Sequence, residues 1–209
     1  MSIDFGIHDT ETAIQDSLGD ALAHGMFVSN LAFLVGRELR LPEEECYNLA
    51  VAGMMHDIGK LRLRSYVYEE KEAQMQIDEL RYVRLHPTLG YAILKENGYP
   101  EYVLNAVLYH HENWDGTGYP NNLKGESIPL AARILRVCDA FGALIANRPY
   151  REAFDIETAL MIMIEEVKCF DMHIFLTFQQ VSQSEEMRYM LRDMGIDKGQ
   201  EDSLLWQNP

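Results

Sequence analysis

The sequence predicts an all-α protein, on three observations. Apolar residues recur at three- and four-residue spacing along nearly the whole chain, no run alternates with period two, and no clear hairpin signal joins two strand-like runs. At 209 residues, 47% hydrophobic and 24% charged, the chain is of ordinary globular make-up and long enough for one sizeable core. No internal repeat, low-complexity tract or linker interrupts it, so one domain is the simplest organisation. Residues 1–17 read as a lead, 18–181 as the domain, and 182–209 as a helical extension whose last residues fray.

The elements follow in order. "DALAHGMFVSNLAFLVGREL" is a helix, and Pro42 beyond it is a stop. "PEEECYNLAVAGMMH" opens on Pro and three glutamates, which suit the positive end of a helix dipole. Gly59 in "MMHDIGK" is expected to end that helix and to place Lys60 just beyond the turn. Residues 61–76 carry the weakest pattern and read as a loop or short helix. "EYVLNAVLYHHE" and the longer, strongly apolar "IPLAARILRVCDAFGALIA" are helices, and "DIETALMIMIEEVKC" is a third with Asp155 as its N-cap. After Ser182, Met187, Met190, Leu191 and Met194 share one helical face, as in a docking helix or an oligomer contact.

Composition excludes several classes. No run of about 18 apolar residues is present, so a membrane span is not expected. The N-terminus "MSIDFGIHDTET" lacks the basic-then-apolar order of a signal peptide, which predicts a cytoplasmic protein. Cys46, Cys138 and Cys169 are isolated and odd in number, the pattern of buried reduced thiols rather than of thiolate-bound zinc. A net charge of −15 argues against binding along DNA or RNA. A small anionic ligand remains compatible, provided that Arg, Lys or metal is concentrated locally.

The histidines supply the chemistry. His24, His56, His86, His110 and His111 fall within or at the ends of these helices, and Asp20 precedes His24 by four residues on the same face. Asp139 lies inside an apolar run, where an unpaired carboxylate is costly. Imidazole and carboxylate donors without sulfur suit Fe, Mn or another divalent ion, and there are more of them than one ion needs. His56 and Asp57, about 100° apart on a helix, cannot chelate one ion as an i,i+4 pair does. They can serve two ions if Asp57 bridges them. "HHENWDGTGYP" at 110–120 then raises its own question: what do the adjacent histidines hold, and what does the glycine-rich turn set against it?

These segments resemble the HD-GYP family, a branch of the HD phosphohydrolases that opens cyclic di-GMP in bacterial signalling. The resemblance runs from about Asp20 to Phe175 through "HDIGK" at 56–60, "HP" at 86–87, "HHENWDGTGYP", "IPLAARILRVCDAFGAL" at 128–144 and "RPY" at 148–150 with Arg151. It implies an HD-superfamily helical bundle carrying a GYP loop. The metal ligands it implies are His24, His56, Asp57, His86, His110, His111 and Asp139, with Asp57 bridging two divalent ions. Fe or Mn is expected, and Ni or Zn is compatible with the donors. Asp20 either helps to hold a third ion or caps its helix.

Lys60, Tyr119, Arg148 and Arg151 match positions that contact substrate, Lys60 also assisting the leaving oxygen. The two arginines would supply the positive charge that the acidic chain otherwise lacks, through forks that match phosphate or a guanine edge. Two ions about 3.5–4 Å apart can share a hydroxide aligned with phosphorus, giving linear pGpG and, if that product binds well, GMP. Glu112 and Asp115 read as loop-fixing groups rather than ligands. In that reading the turn brings Tyr119 back beside the cage that His110 and His111 close.

Departures from the family pattern keep other readings open. "DAFG" places Gly142 where the family usually has an acidic residue, and "LRLRSYVYEEK", with Lys71, replaces the usual run after HDIGK. Cyclic GMP-AMP is therefore an alternative substrate. A weakly active module that senses a cyclic dinucleotide or docks onto a nucleotide cyclase, and an HD enzyme acting on another phosphoester, are the rival classes. Too few residues precede Asp20 for a sensory domain, so the partners expected are cyclic di-GMP, a diguanylate cyclase or sensor protein, and a second copy of the chain.

Overall fold

The structure, a computed structural model, describes residues 18–69, 83–147 and 152–195, and among these every regular element is helical. In chain order the helices are α1 (Leu18–Glu38), α2 (Glu43–Met55), α3 (Ile58–Glu69), α4 (His86–Glu96), α5 (Glu101–Tyr109), α6 (Leu130–Ile145), α7 (Ile156–Glu165), α8 (Met172–Ser182) and α9 (Glu185–Asp193). Short 3-10 turns at Gly125–Ser127 and Val167–Cys169 complete them. No described helix is long and apolar enough to cross a membrane.

The axis of the bundle is α6, whose composition explains its place. Apolar residues surround it, so it buries on several sides, and α1, α2, α5, α7 and α8 all pack against it. Ala131, Ala132 and Ala140 let neighbours approach, while Ile134, Leu135, Val137, Phe141 and Leu144 fill the space between them. The second layer forms as α1 packs along α2 and α4 packs between α3 and α5. Phe27, Leu31, Val35 and Leu49 meet Phe141 and Phe178 in one continuous core. Cys46, Cys138 and Cys169 are free and buried, as their isolation in sequence predicts.

Caps mark several boundaries. Asp155 accepts from the Thr158 amide at 2.8 Å, so it is the expected N-cap of α7. Asp171 and Ser184 cap α8 and α9 in the same way. The methionine face of α9 turns inward: Met187 and Leu191 are buried, and Met190 and Met194 pack against the core.

Two local expectations are corrected. Gly59 does not end the preceding helix: α2 stops at Met55 with His56 as its C-cap, and Gly59 lies in the first turn of α3. The reason is a helix contact rather than a turn, because a Cβ on Gly59 would sit 2.0 Å from the His86 carbonyl oxygen. Asp20 is inside the first turn of α1 and so does not stand at its N-cap. Residues 61–69 continue α3 as a helix. Lys71, Arg148 and Arg151 lie outside the described residues.

Candidate metal centre

Three helix ends and two helix interiors carry the site. His56 ends α2, His86 opens α4, His110 ends α5, and Asp139 projects from the middle of α6, while α1 brings in His24. His56, His86 and His110 are each fixed by one repeated device. Their Nδ1 atoms donate to the carbonyl oxygens of Gly53, Val83 and Val107, each three residues earlier, at 2.8, 2.6 and 2.7 Å. A helix end offers such unpaired carbonyls, so the fold orients all three rings and leaves each Nε2 facing inward.

Those inward nitrogens meet the carboxylates. His24 Nε2 lies 3.0 Å from Asp139 Oδ1, and His56 Nε2 lies 3.4 Å from the same oxygen. Asp57 faces both halves of the cluster: its Oδ2 is 3.3 Å from His56 Nε2 and its Oδ1 is 3.3 Å from His86 Nε2. His86 and His110 bring their Nε2 atoms to 3.2 Å, and the His110 and His111 rings lie 4.1 Å apart between centroids. Lys60 Nζ donates to Asp57 Oδ2 at 2.7 Å.

Three overlapping groups bring ligand atoms within 4.8 Å of one another: His86 with His110 and His111, His24 with His56 and Asp57, and His56 with His110 and Asp139. The donors fit divalent cations. His56 Nε2 and Asp57 Oδ1 are buried without a hydrogen-bond partner, a costly arrangement that a cation between them would relieve. Two lone-pair donors at 3.2 Å, His86 Nε2 and His110 Nε2, point the same way. Asp20 lies outside these groups but lines, with His24, Gly142 and Glu152, an adjoining cavity of about 720 Å³.

The electrostatics sort the ligands into ionised carboxylates and mostly neutral imidazoles. Burial pushes the Asp57 and Asp139 carboxyls upward, but His56 with Lys60 at Asp57, and His24 with His56 at Asp139, hold both well below the usual range. Burial lowers His110 to about 4, helped by the charge on His56. It also holds His86 and His111 well below the ordinary imidazole value. His56 is the exception: burial opposes its charge, yet the two carboxylates raise it to about 10. In the metal-free protein a proton on His56 thus balances the carboxylates.

Two outcomes follow from that arrangement. At pH 8, metal uptake displaces the His56 proton, so calorimetry in buffers of different ionisation enthalpy records about one proton released from this residue. The metal-free fold is most stable near pH 6.5. Below that value the unfolded chain binds protons that His86, His110 and His111 refuse, so stability falls towards pH 4. Above it His56 alone retains its proton, and stability declines towards pH 10. Urea midpoints across this range check both limbs.

The loop after His111 is tied down by Glu112. This buried side chain accepts from the Asn121 amide at 2.7 Å and the Leu123 amide at 3.0 Å, the loop-fixing role its sequence position suggests. Asp115 closes a tight turn by accepting from the Thr117 amide and hydroxyl. Gly118 is demanded by closeness, since a Cβ there would stand 2.4 Å from the His111 carbonyl oxygen. The Tyr119 amide donates to that same oxygen at 3.1 Å, and the Tyr119 ring stacks on His111 at 4.8 Å. Glu112→Ala costs about 2 kcal/mol through the two orphaned amides, read as a lowered Tm and faster proteolysis of the 113–124 loop.

Gly142 has a packing reason. A Cβ at this position would lie 3.0 Å from Phe27 Cδ1 and 3.2 Å from His24 Cε1. Any side chain there would press on both residues, so they would have to give by a few tenths of an ångström to admit it. A contact missed in the sequence is Arg84, whose guanidinium lies 5.4 Å over the Tyr119 ring. Its signal was available as a basic residue two positions before His86.

A family model described as "HD domain" matches residues 10–174. The chain is 40% identical over 135 residues to the cyclic di-GMP phosphodiesterase response regulator RpfG of Xanthomonas campestris, covering 64% of this chain and 35% of that protein. It is 35% identical over 144 residues to the 3′3′-cGAMP-specific phosphodiesterase 3 of Vibrio cholerae, covering 69% of this chain and 31% of that protein. It therefore spans about a third of the length of these curated relatives. Among solved structures, the HD-GYP-like protein Bd1817 of Bdellovibrio bacteriovorus superposes with a TM-score of 0.62 at 19% identity, over 78% of this chain and 53% of that one.

Proposed function

Because the chain belongs to the HD domain family, in its HD-GYP branch, we propose that it is a metal-dependent phosphodiesterase that opens cyclic di-GMP. The observation that carries this reading is Asp57, a half-buried carboxylate whose two oxygens face histidines on opposite sides of the cluster. His24, His56, Asp57 and Asp139 would hold one ion, and His86, His110 and His111, with Asp57 shared between the two groups, would hold a second. Asp20, which lines the cavity beside His24, would help to hold a third. Fe or Mn suits these donors best, Ni and Zn being compatible. Such ions supply an activated water at neutral pH and neutralise charge that develops on phosphoryl oxygens.

The chain's own groups do the rest. Nδ1 hydrogen bonds to backbone carbonyls hold three imidazoles in the tautomer that presents Nε2 inward, so little reorganisation is needed when substrate arrives. Lys60, on Asp57 at the edge of the cluster, is the cation placed to stabilise the leaving 3′-oxygen. Tyr119 borders the cluster through its stack on His111 and is assigned to substrate contact with Arg148 and Arg151. The domain is assigned to 18–181 and the helical extension to 182–209, whose Met187 and Leu191 pack into the same core. Residues 1–17 are left as its lead. The partners assigned beyond the nucleotide are a diguanylate cyclase, a sensor protein, or a second copy of the chain.

One relative is named for 3′3′-cGAMP, and so cyclic GMP-AMP is the second substrate to be compared. Anaerobic, Mn²⁺- or Fe²⁺-loaded protein is expected to convert cyclic di-GMP into pGpG, with GMP following where pGpG rebinds. Chromatography over time separates the products. Faster turnover of cyclic GMP-AMP would move the substrate assignment to that nucleotide. A bound but uncleaved dinucleotide would replace the enzyme by a sensor.

A further inference from the structure

We propose that Arg84 is a specificity residue of the same site, contacting the phosphate of a cyclic dinucleotide that is not being cleaved. The inference rests on the phosphodiesterase reading above. Arg84 sits in the short turn that leads into His86, and the orientation of that turn is set by the His86 hydrogen bond to Val83. The loop bearing Tyr119 is set independently, by Glu112 and by the Tyr119 amide on the His111 carbonyl. The His86 and His111 rings meet at 4.9 Å, edge to face. Two separately fixed segments thus converge at the cluster, and Arg84 from one meets Tyr119 from the other beside His111.

The consequence is a cation held in place while remaining open to solvent. Arg84 is exposed, and among the described residues its guanidinium forms no ion pair. Its contact is the face of Tyr119, 5.4 Å from the ring centroid, an interaction that uses none of its N–H donors. Arg136, by comparison, spends its Nε on Asn113, and Arg133 spends a fork nitrogen on Asp171. In a chain of net charge −15, an exposed arginine set over a tyrosine ring, with no carboxylate partner among the described residues, at the rim of the proposed phosphoester site is suited to an anion. The phosphate being cleaved would be met by Lys60 and by the ions that the histidine–aspartate cluster would hold. A substrate with two phosphates presents a second anion, and Arg84 meets it.

The test compares Arg84→Lys and Arg84→Gln with the wild-type holoprotein. Cyclic di-GMP is the substrate, and bis(p-nitrophenyl) phosphate is a control with a single phosphate. KM for cyclic di-GMP is expected to rise about tenfold in Arg84→Gln and less in Arg84→Lys, with kcat within about twofold, as expected for loss of one charge-assisted contact. Rates on the control substrate and bound metal stay at wild-type values. Equilibrium dialysis with a slowly hydrolysed phosphorothioate analogue should show the same loss of affinity. Unchanged KM in Arg84→Gln overturns the proposal. Equal losses on both substrates, or loss of metal, also overturn it, because Arg84 would then only support Tyr119. Failure of the wild-type protein to cleave or bind cyclic di-GMP would instead overturn the phosphodiesterase reading itself.

Discussion

Asp57→Ala is expected to lower cyclic di-GMP hydrolysis by at least about 10³-fold, since several kcal/mol of transition-state charge stabilisation depend on the ions it holds. The size of the effect follows from its geometry. Asp57 is the side chain whose two oxygens reach both His56 and His86, so its removal opens both halves of the cluster at once. Lys60 loses its ion-pair partner in the same step. Asp57→Asn separates charge from shape: the amide keeps the volume but presents one oxygen and no net charge, so metal content should still fall. Metal analysis on protein purified side by side with wild type reads this directly. Circular dichroism should be nearly unchanged, because the surrounding helices are held by the apolar core around α6.

Gly59→Ala is expected to damage fold and site together, costing about 3 kcal/mol, the upper end for an overpacked contact. An added Cβ would lie 2.0 Å from the His86 carbonyl oxygen, 2.8 Å from the Gly90 amide nitrogen and 2.9 Å from the His86 carbonyl carbon. Backbone cannot swing aside as a flexible side chain can. The starts of α3 and α4 must separate, and they carry Lys60 and His86. Lower Tm, reduced metal content and lower activity should therefore appear together in this variant. By contrast, alanine at Gly98, which has open space around it though φ is +75°, carries only a local backbone strain and should leave metal content unchanged.

Much of this was legible in the sequence because each signal was local or strongly periodic. The repeat of apolar residues gave α1, α2, α5 and α6, and Asp155 marked the start of α7 through the acceptor atom it places for Thr158. The adjacent histidines, and a carboxylate alone in the apolar α6, announced a charge that the interior had to compensate. What the sequence concealed was set by contacts between distant segments. Gly59 resembled a helix terminator, yet its need for a hydrogen side chain comes from α4, some 27 residues later. Gly142 likewise reads as a lost carboxylate until its close approach to Phe27 and His24 is seen. Arg84 carries no motif of its own, because its contact with Tyr119 comes from another loop. The carbonyl anchors of His56, His86 and His110 depend on helices ending where they do, and boundaries are the weakest part of any pattern reading.

The most direct test follows metal content and phosphodiester cleavage in the same samples. Metal-free protein is titrated anaerobically with Mn²⁺, and bound metal and pGpG formation are measured at each step, with Asp57→Ala in parallel. The account predicts no product without metal, activity that rises with occupancy to a plateau at two or more ions per chain, and neither binding nor product at these sites in the variant. Full occupancy of the histidine–aspartate cluster without cleavage of cyclic di-GMP, or cleavage that persists in metal-free protein, would contradict it.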